Sequence, residues 1–133
     1  MKIQESAEDY LEAILILSKK QGDYVRSIDI ANFLDFSKPS VSVAMKKLRE
    51  NGYIVMDRSG YIKLADPGRE IAEEMLDRHK IMTRWFIHLG VDEDIAAKDA
   101  CRVEHVLSKE CFDAIKKHVT EYHELSPEKE TAE

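Results

Sequence analysis

Six side chains of the kinds that bind first-row transition metals occur in three places along the sequence: Asp9 and Glu12, then His79, then Cys101, Glu104 and His105. The last three are spaced at i, i+3 and i+4, so on a helix they would share one face and point into one small volume. The spacing of the first two predicts a shared helix face as well. Because thiolate, imidazole and carboxylate groups bind divalent transition metals, the sequence predicts a metal site built from these residues.

Each candidate ligand also has an ordinary structural explanation. Asp9 follows Ser6 by three residues and could complete a capping box at the start of a helix. Cys101 could be a small core residue, and the other four could be solvated or ion-paired surface side chains. The metal interpretation is favoured because a cysteine and several acidic and imidazole groups would otherwise have to converge by accident.

Apolar periodicity and capping signals define the elements that must hold these side chains. We predict helices over residues 6–20, 27–34, 37–50, 66–89, 92–107 and 108–122. Their predicted N-caps are Ser6, Ser27, Ser37, Asp92 and Ser108. The second helix is expected to bury Ile28, Ile30, Ala31 and Leu34.

The second and third helices are joined by the tight connection Asp35-Phe36. Two strand-like runs then follow, over residues 53–57 and 61–64, around the three-residue loop Arg58-Ser59-Gly60. Two short helices followed by a β-hairpin form a winged helix-turn-helix. The predicted fold class is therefore mostly α with a small β-hairpin, with the later helices forming a second, helical domain.

The third helix is predicted to enter the major groove of DNA. Its buried seam would be Val41, Met45 and Leu48, which leaves these residues facing outward: Ser37, Lys38, Pro39, Ser40, Ser42, Val43, Lys46 and Lys47. Hydroxyls, lysines and a helix N-terminus suit phosphates, whereas Pro39 and Val43 suit thymine methyl groups. The segment has no Arg, Asn or Gln for bidentate base contacts, so we expect some dependence on DNA shape. Arg58 would contact DNA from the wing tip.

The net charge of −6 is unevenly distributed along the chain. Between residues 36 and 63, six lysines or arginines accompany two acidic residues, so this segment is basic within an acidic protein. A local basic segment is expected of a surface that contacts DNA phosphates. The alternative is ordinary solvated charge on a winged helix that binds another protein, in which case no salt-dependent DNA binding is expected.

The composition, 44% hydrophobic and 35% charged over 133 residues, is typical of a helix-rich globular protein. The longest apolar run, Ala13–Leu17, is too short to span a membrane, and no signal segment precedes it. We therefore expect a cytoplasmic protein without a membrane partner. The two cysteines, Cys101 and Cys111, are expected to be thiols or ligands rather than a disulfide.

Four stretches of the sequence resemble the diphtheria-toxin-repressor and manganese-transport-regulator family: Glu8–Glu12, Ser37–Ser42, Arg78-His79 and Cys101–Ser108. The resemblance implies a metal-activated homodimeric repressor that binds a palindromic operator in double-stranded DNA and has no small-molecule substrate. It implies a winged-helix domain, which we place over 1–65, and a helical metal-binding and dimerisation domain, which we place over 66–124. The polar residues 125–133 are expected to form a disordered tail. Longer members append an SH3-like domain, which we do not expect in this chain.

The resemblance implies a hybrid metal site. The manganese branch has acidic residues and a histidine at the positions of Asp9, Glu12 and His79, but a glutamate at the position of Cys101. The iron branch has a cysteine there and a methionine at the position of Asp9. Its ancillary site uses a glutamate and a histidine where this chain has Thr83 and Ala97, so that site is expected to be absent.

The main site would then comprise Asp9, Glu104, His105 and either the sulfur or the carbonyl of Cys101, with Glu12 and His79 forming an adjoining site. The expected cofactor is Fe(II) or Mn(II), with Co(II), Ni(II) or Zn(II) as substitutes, and a thiolate ligand would favour iron.

The function indicated by these features is metal-dependent repression of genes for metal homeostasis. A metal-independent winged-helix regulator is the alternative, and DNA affinity that ignores chelators would select it. An enzyme is not expected, because the sequence lacks a His-Glu-x-x-His motif, a glycine-rich phosphate loop and a nucleophile signature.

Overall fold

The computed structural model describes residues 5–124, which form six helices and one antiparallel hairpin. The elements are α1 (Glu5–Gln21), α2 (Ser27–Leu34), α3 (Lys38–Glu50), β1 (Ile54–Met56), β2 (Ile62–Leu64), α4 (Asp66–His88), α5 (Glu93–Val103) and α6 (Lys109–Glu124). The predicted fold class, mostly α with a small β-hairpin, is confirmed. None of the helices in residues 5–124 is long and apolar enough to cross a membrane.

The chain divides into two compact units, Met1–Leu76 and Asp77–Glu133. Helix α4 begins in the first unit and ends in the second. The domain division at residue 65 stays a prediction from the resemblance. The tail expected over residues 125–133 lies outside the described residues.

The core of the first unit is almost entirely apolar. It is formed by Tyr10, Leu11, Ile14, Leu15, Leu17, Val25, Ile30, Ala31, Val41, Met45, Leu48, Ile54, Ile62 and Ala72. The predicted seam of α3 is therefore confirmed, because its three residues at i, i+4 and i+7 are all buried. In the hairpin, Ile54 pairs with Leu64 and Met56 pairs with Ile62, which closes the sheet over the same core.

Gly68, in the first turn of α4, makes a close approach to the backbone of Tyr53. A Cβ atom placed on Gly68 would collide with the Tyr53 carbonyl oxygen. That oxygen also accepts a hydrogen bond from the Ala65 N–H at 3.0 Å, so it is held in place. Only glycine fits here, and the contact joins the start of α4 to the residue before β1.

The second unit has a smaller core, formed by Ile81, Met82, Ala100, Phe112 and Val119 from α4, α5 and α6. Trp85 and Phe86 pack against this cluster from α4. Two of the predicted caps are confirmed here. The Asp92 carboxylate accepts from the Asp94 N–H at 3.1 Å, and the Ser108 hydroxyl accepts from the Cys111 N–H at 3.0 Å.

Several predicted details in the first unit are wrong. Helix α1 begins at Glu5, so Ser6 lies inside it rather than at its N-cap. Helix α2 begins at Ser27 and its N-cap is Arg26, whose N–H donates to the Asp29 carboxylate at 2.9 Å. Ile28 is exposed, because residues two apart lie on opposite sides of a helix and the inward side is occupied by Ile30. The strands are shorter than predicted, since residues 53, 57 and 61 lie outside them.

Helix α5 ends at Val103, four residues before its predicted end. The Glu104 N–H still donates to the Ala100 carbonyl at 3.0 Å, but the Val106 N–H donates to Val103, a tighter i to i−3 bond. Glu104 is thus the C-cap, and His105 lies in the turn beyond it. The helical spacing used to group them with Cys101 holds only as far as Glu104.

Candidate metal centre and nucleic-acid interface

A buried carboxylate lies at the centre of the second unit's polar cluster. The Glu104 side chain is 0% exposed, and its two oxygens face two different imidazoles. Glu104 Oε1 lies 3.1 Å from His79 Nδ1, and Glu104 Oε2 lies 3.4 Å from His105 Nε2. The structure therefore brings together three of the six residues predicted to bind metal, one from α4 and two from the turn that follows α5.

This donor set fits a divalent cation. A fully buried carboxylate is costly unless hydrogen bonds or positive charge compensate for its lost hydration. Imidazole and carboxylate groups are common ligands of Mn(II), Fe(II) and Zn(II). The His105 side chain is 1% exposed, so its ring is shielded from solvent almost as completely as the carboxylate beside it.

Cys101 lies one helical turn before Glu104, near the end of α5. Its sulfur lies within 4.8 Å of a Glu104 carboxylate oxygen, and the residue is solvent-exposed. The thiol is therefore close enough to join the same group of donors. Its exposure also makes it accessible to oxidants, unlike the neighbouring imidazole of His105.

Arg78, one residue before His79 on α4, is a buried cation that the sequence analysis assigned no role. It is 5% exposed, and its Nη1 donates to the carbonyls of Glu104 at 2.9 Å and Leu107 at 2.8 Å. The guanidinium also lies over the Phe112 ring, 5.1 Å from its centre. Arg78 therefore fixes the turn after α5, the segment that carries the Glu104 and His105 side chains.

A sequence signal for Arg78 exists. It lies three residues after Met75 and four before Met82, both of which are buried on α4. An arginine in the apolar stripe of a helix is unusual and indicates a buried cation with specific partners. The identity of those partners depends on the turn after α5, which the sequence pattern does not predict.

The remaining predicted ligands, Asp9 and Glu12, lie on α1 in the first unit. Glu12 is buried and Asp9 is half-buried, on a helix whose other inward residues are apolar. Burial raises the pKa of the neighbouring Tyr10, and the Asp9 carboxylate raises that pKa further. Because Ser6 lies inside α1 and is not its N-cap, the alternative explanation of Asp9 as part of a capping box with Ser6 does not hold.

The positions that matter for an ancillary site, Thr83 and Ala97, line one cavity of the second unit together with His79. Neither supplies a carboxylate or an imidazole. The same cavity is lined by the acidic side chains of Glu93 and Asp94. The absence of the iron-type ancillary site stays a prediction. The structure adds that the two positions concerned, Thr83 and Ala97, line the same cavity.

The predicted DNA-contacting side of α3 faces solvent. The nine residues predicted to contact DNA are all exposed. Eight belong to α3 and its N-cap, namely Ser37, Lys38, Pro39, Ser40, Ser42, Val43, Lys46 and Lys47, and the ninth is Arg58 at the wing tip. Val43 is 55% exposed, which is high for an apolar residue on a helix. Its three lysines make no ion pair within residues 5–121, so their charges are available for a polyanion.

Ser37 also forms the N-cap of α3. Its hydroxyl caps α3 by accepting from the Ser40 N–H at 3.2 Å, and it donates to the Ser40 hydroxyl at 2.8 Å. The predicted N-cap is therefore confirmed. The Ser40 and Val41 N–H groups are bonded to Ser37, and Pro39 has no N–H, so the first turn of α3 leaves few donors for a phosphate.

The wing tip is shaped by Asp57, which the sequence analysis did not single out. Its carboxylate accepts from the N–H groups of Ser59 at 2.9 Å and Tyr61 at 3.0 Å. Gly60 adopts a φ of 87°, which favours glycine. An aspartate at the start of a short loop ending in glycine is a recognisable turn signal, and here it presents Arg58 to solvent.

Two family descriptions match nearly the whole chain. Residues 2–64 match the N-terminal DNA-binding domain of iron-dependent repressors. Residues 65–130 match the metal-binding and dimerisation domain of iron-dependent repressors.

Similar proteins agree with this assignment. A transcriptional regulator of the helix-turn-helix type from Methanocaldococcus jannaschii is 33% identical over 86% of this chain and 92% of that protein. The transcriptional regulator MntR of Salmonella typhimurium is 35% identical over 84% of this chain and 70% of that protein.

Solved structures share the architecture. A manganese-dependent transcriptional repressor in complex with manganese is 27% identical, with a TM-score of 0.78 over 86% of this chain and 52% of that one. The chain thus spans about half the length of that solved relative. With the winged helix and the buried polar cluster, these matches establish that the chain belongs to the iron-dependent repressor family, the metal-dependent transcriptional repressors related to the diphtheria toxin repressor and the manganese transport regulators.

Proposed function

We propose that this repressor binds its operator in response to Fe(II) or Mn(II), and that Glu104 is the central ligand. The observation that carries the proposal is the buried Glu104 carboxylate with an imidazole facing each of its oxygens. The pairing of a buried acid with His79 and His105 would stabilise the unit even without metal. However, it also collects the donor types that a divalent cation requires.

The proposed ligands are the four residues of the second unit's cluster and the two acidic residues of α1: His79, Cys101, Glu104, His105, Asp9 and Glu12. The contribution of Asp9 and Glu12 rests on the sequence and on the family resemblance. A bound divalent cation would supply the positive charge that compensates the buried Glu104 carboxylate. The residues of the chain orient that charge, with Arg78 holding the turn that carries two of them.

The proposed regulation is thermodynamic linkage. If the metal-bound form binds DNA more tightly, DNA must tighten metal binding by the same factor. A coupling of about 1–3 kcal/mol, or about 5–150-fold, is the usual scale. The competing function is a metal-independent regulator. In that case Glu104, His79 and His105 would stabilise the second unit without binding a metal.

The experiment compares DNA affinity with and without metal. An inverted-repeat operator is selected from random duplexes, and binding is followed by fluorescence anisotropy under anaerobic conditions with Mn(II), Fe(II) or a chelator. We expect Glu104→Ala to remove the metal response, whereas Glu110→Ala, which removes an exposed acid on α6, should keep it. Equal affinities of the unmodified protein in metal and chelator would select the metal-independent regulator.

The choice between iron and manganese is proposed to depend on the Cys101 sulfur. A thiolate ligand softens the site and favours Fe(II), Co(II) or Zn(II) over Mn(II). We expect Cys101→Glu to shift preference towards Mn(II) in anaerobic metal titrations, and Cys111→Ala, the other exposed thiol, to change nothing. If Cys101→Ala, Cys101→Glu and the unmodified protein rank the metals identically, the sulfur does not set selectivity.

We also propose that the active form is a homodimer on a palindromic operator. The matched dimerisation domain and the exposed apolar residues of the second unit, Ile87, Leu89 and Ile95, support this. A two-fold protein requires two half-sites separated by a whole number of helical turns. Light scattering of the protein alone and with DNA measures the stoichiometry, and a monomer bound to a single half-site would contradict the proposal.

A further inference from the structure

Three side chains of the first unit form a cluster beside the wing, which we call the Arg26 cluster: Tyr24 and Arg26, which are exposed, and Tyr61, which is half-buried. The Arg26 guanidinium carbon lies 4.4 Å from the centre of the Tyr61 ring. The Tyr24 ring meets the Tyr61 ring edge to face, with centroids 5.3 Å apart. Tyr61 is therefore an aromatic support for an arginine that is itself solvent-exposed.

The backbone of this cluster is fixed on both sides. The Ile62 N–H donates to the Val25 carbonyl at 2.7 Å, which ties the segment before α2 to strand β2. The Arg26 N–H donates to the Asp29 carboxylate at 2.9 Å, which ties the same segment to the first turn of α2. The position of Arg26 relative to the wing is therefore well determined.

The charge of Arg26 is ordered but not neutralised. Within the part of the chain that the structure describes, Arg26 forms no ion pair, whereas Lys63 on the same side of the wing pairs with Asp23 at 3.6 Å. A guanidinium stacked on a ring keeps its N–H donors at its edge, where they match the oxygens of a phosphate. Ordering the side chain in advance also reduces the entropy lost on binding.

The place of Arg26 in the fold indicates which polyanion it meets. In helix-turn-helix proteins the second helix enters the major groove while the first crosses the DNA backbone. Arg26 immediately precedes the first of these helices, α2, and Tyr61 immediately follows the wing loop that carries Arg58. Arg26 thus lies where the two backbone-facing parts of the winged helix meet.

We propose that Arg26, supported by Tyr61, binds a phosphate of the DNA backbone and forms a contact separate from α3 and the wing tip. The inference rests on the DNA binding that belongs to this family, and it adds a residue that the predicted DNA-contacting set omits. Because the ligand is a phosphate, the contact fixes the register of the protein on DNA and carries no base preference. The nearby carboxylate of Asp29 is committed to the Arg26 N–H and to Gln21, 3.3 Å away.

The test measures the salt dependence of binding to a random-sequence duplex, in excess Mn(II), for the full chain and for Arg26→Ala. Each phosphate contact contributes about 0.9 to the slope of log K against log salt. Arg26→Ala should therefore flatten the slope by about one unit for each bound subunit. When the salt concentration is raised from about 0.1 M to about 0.3 M, the ratio of the parent's DNA affinity to the variant's should fall by about threefold per contact.

Arg69→Ala is the matched control, because it removes the same charge from an exposed arginine of the first unit that pairs with Glu73 at 3.7 Å. It should leave the slope nearly unchanged. Tyr61→Leu keeps the charge but removes its support, so it should weaken binding while largely preserving the slope. If Arg26→Ala fails to fold, Arg26→Gln, which keeps the side-chain stem, provides the same measurement.

An unchanged slope for a folded Arg26 variant would overturn the inference and leave the stack with Tyr61 as a purely structural contact. Equal flattening by Arg69→Ala would also overturn it, since the effect would then be general to surface charge. A parent protein that binds neither the random-sequence duplex nor the selected operator, in Mn(II) or in Fe(II), would contradict the proposed function itself. These results are distinguishable because the parent is measured first.

Discussion

The two units of the chain bury different proportions of apolar and charged side chains. The first unit buries a large apolar core from four helices and a hairpin, with Glu12 as its one buried charged residue among those described, and it leaves its cations on the surface. The second unit has a smaller apolar core and buries a cation and an acid, Arg78 and Glu104, within it. Apolar burial stabilises a fold under most conditions, whereas a buried carboxylate must be compensated by particular partners.

This difference separates two tasks. A DNA-binding surface needs a rigid support with free charges outside, and the first unit provides that arrangement. A metal-responsive element needs a state whose energy changes when a cation binds, and we propose that the buried acid of the second unit provides it. If this contrast is right, substitutions of a core residue, a buried cation, a tightly packed glycine and surface lysines should reduce stability in that order.

The largest loss of stability is expected for Met45→Ala in the core of the first unit. Met45 is 1% exposed in the seam of α3, so truncation removes buried area and leaves a cavity. The expected cost is about 2–5 kcal/mol in the free energy of unfolding. Urea denaturation measures it, with Val43→Ala on the exposed side of the same helix as the control, which should change stability little.

The next largest effect is expected for Arg78→Ala. The substitution leaves the Glu104 and Leu107 carbonyls without their donor, which should cost about 2–4 kcal/mol. Metal affinity should fall as well, because the turn that carries Glu104 and His105 loses its support. Arg102→Ala, an exposed arginine on α5, is the matched control. Metal affinity is measured by titration at low temperature, where the variant stays folded. If Arg78→Ala is less stable but binds metal as tightly as the parent, Arg78 contributes to stability and not to metal binding.

A smaller loss is expected for Gly68→Ala. The new methyl group would press on the Tyr53 carbonyl, a backbone atom that cannot rotate away. Overpacking of this kind costs about 1–3 kcal/mol, despite the better helix propensity of alanine. Thermal unfolding of Gly68→Ala is compared with that of Glu70→Ala, an exposed position two residues further along α4. Equal melting temperatures would show that the start of α4 can shift.

The smallest effect on stability is expected for Lys46→Ala and Lys47→Ala, because both side chains are exposed and make no ion pair within residues 5–121. Their unfolding free energies should stay within about 0.5 kcal/mol of the parent. DNA binding should weaken for all sequences alike, whereas Val43→Ala should change sequence preference. A base-specific loss from either lysine, measured by competition between duplexes, would contradict this division.

Much of the first unit follows from local sequence. The seam of α3, the Ser37 cap and the wing loop were all predictable, because apolar periodicity, capping chemistry and turn residues act over a few neighbouring positions. The exposure of the residues predicted to contact DNA followed from the same helical periodicity. Ile28 was not predictable in this way, since its burial depends on which side of a short helix meets the core.

The six candidate ligands were also identifiable by residue type and spacing, but their surroundings were not. The spacing of Glu104 and His105 suggested a continuous helix, yet α5 ends at Val103. Arg78 draws the Glu104 and Leu107 carbonyls towards α4, across a separation of 26 and 29 residues respectively. Such long-range hydrogen bonds leave no local pattern in the sequence, apart from a charged residue in an apolar stripe.

The sequence alone therefore determined the helices, the wing, the basic surface and the types of side chain available to a cation. Only the tertiary structure decided that Glu104 is fully buried between two imidazoles and that Arg26 is stacked on Tyr61. The physical reason is the sequence separation between the interacting residues. Helix periodicity, caps and turns depend on neighbours within about four positions, whereas the compensation of a buried charge depends on groups brought together from distant parts of the chain.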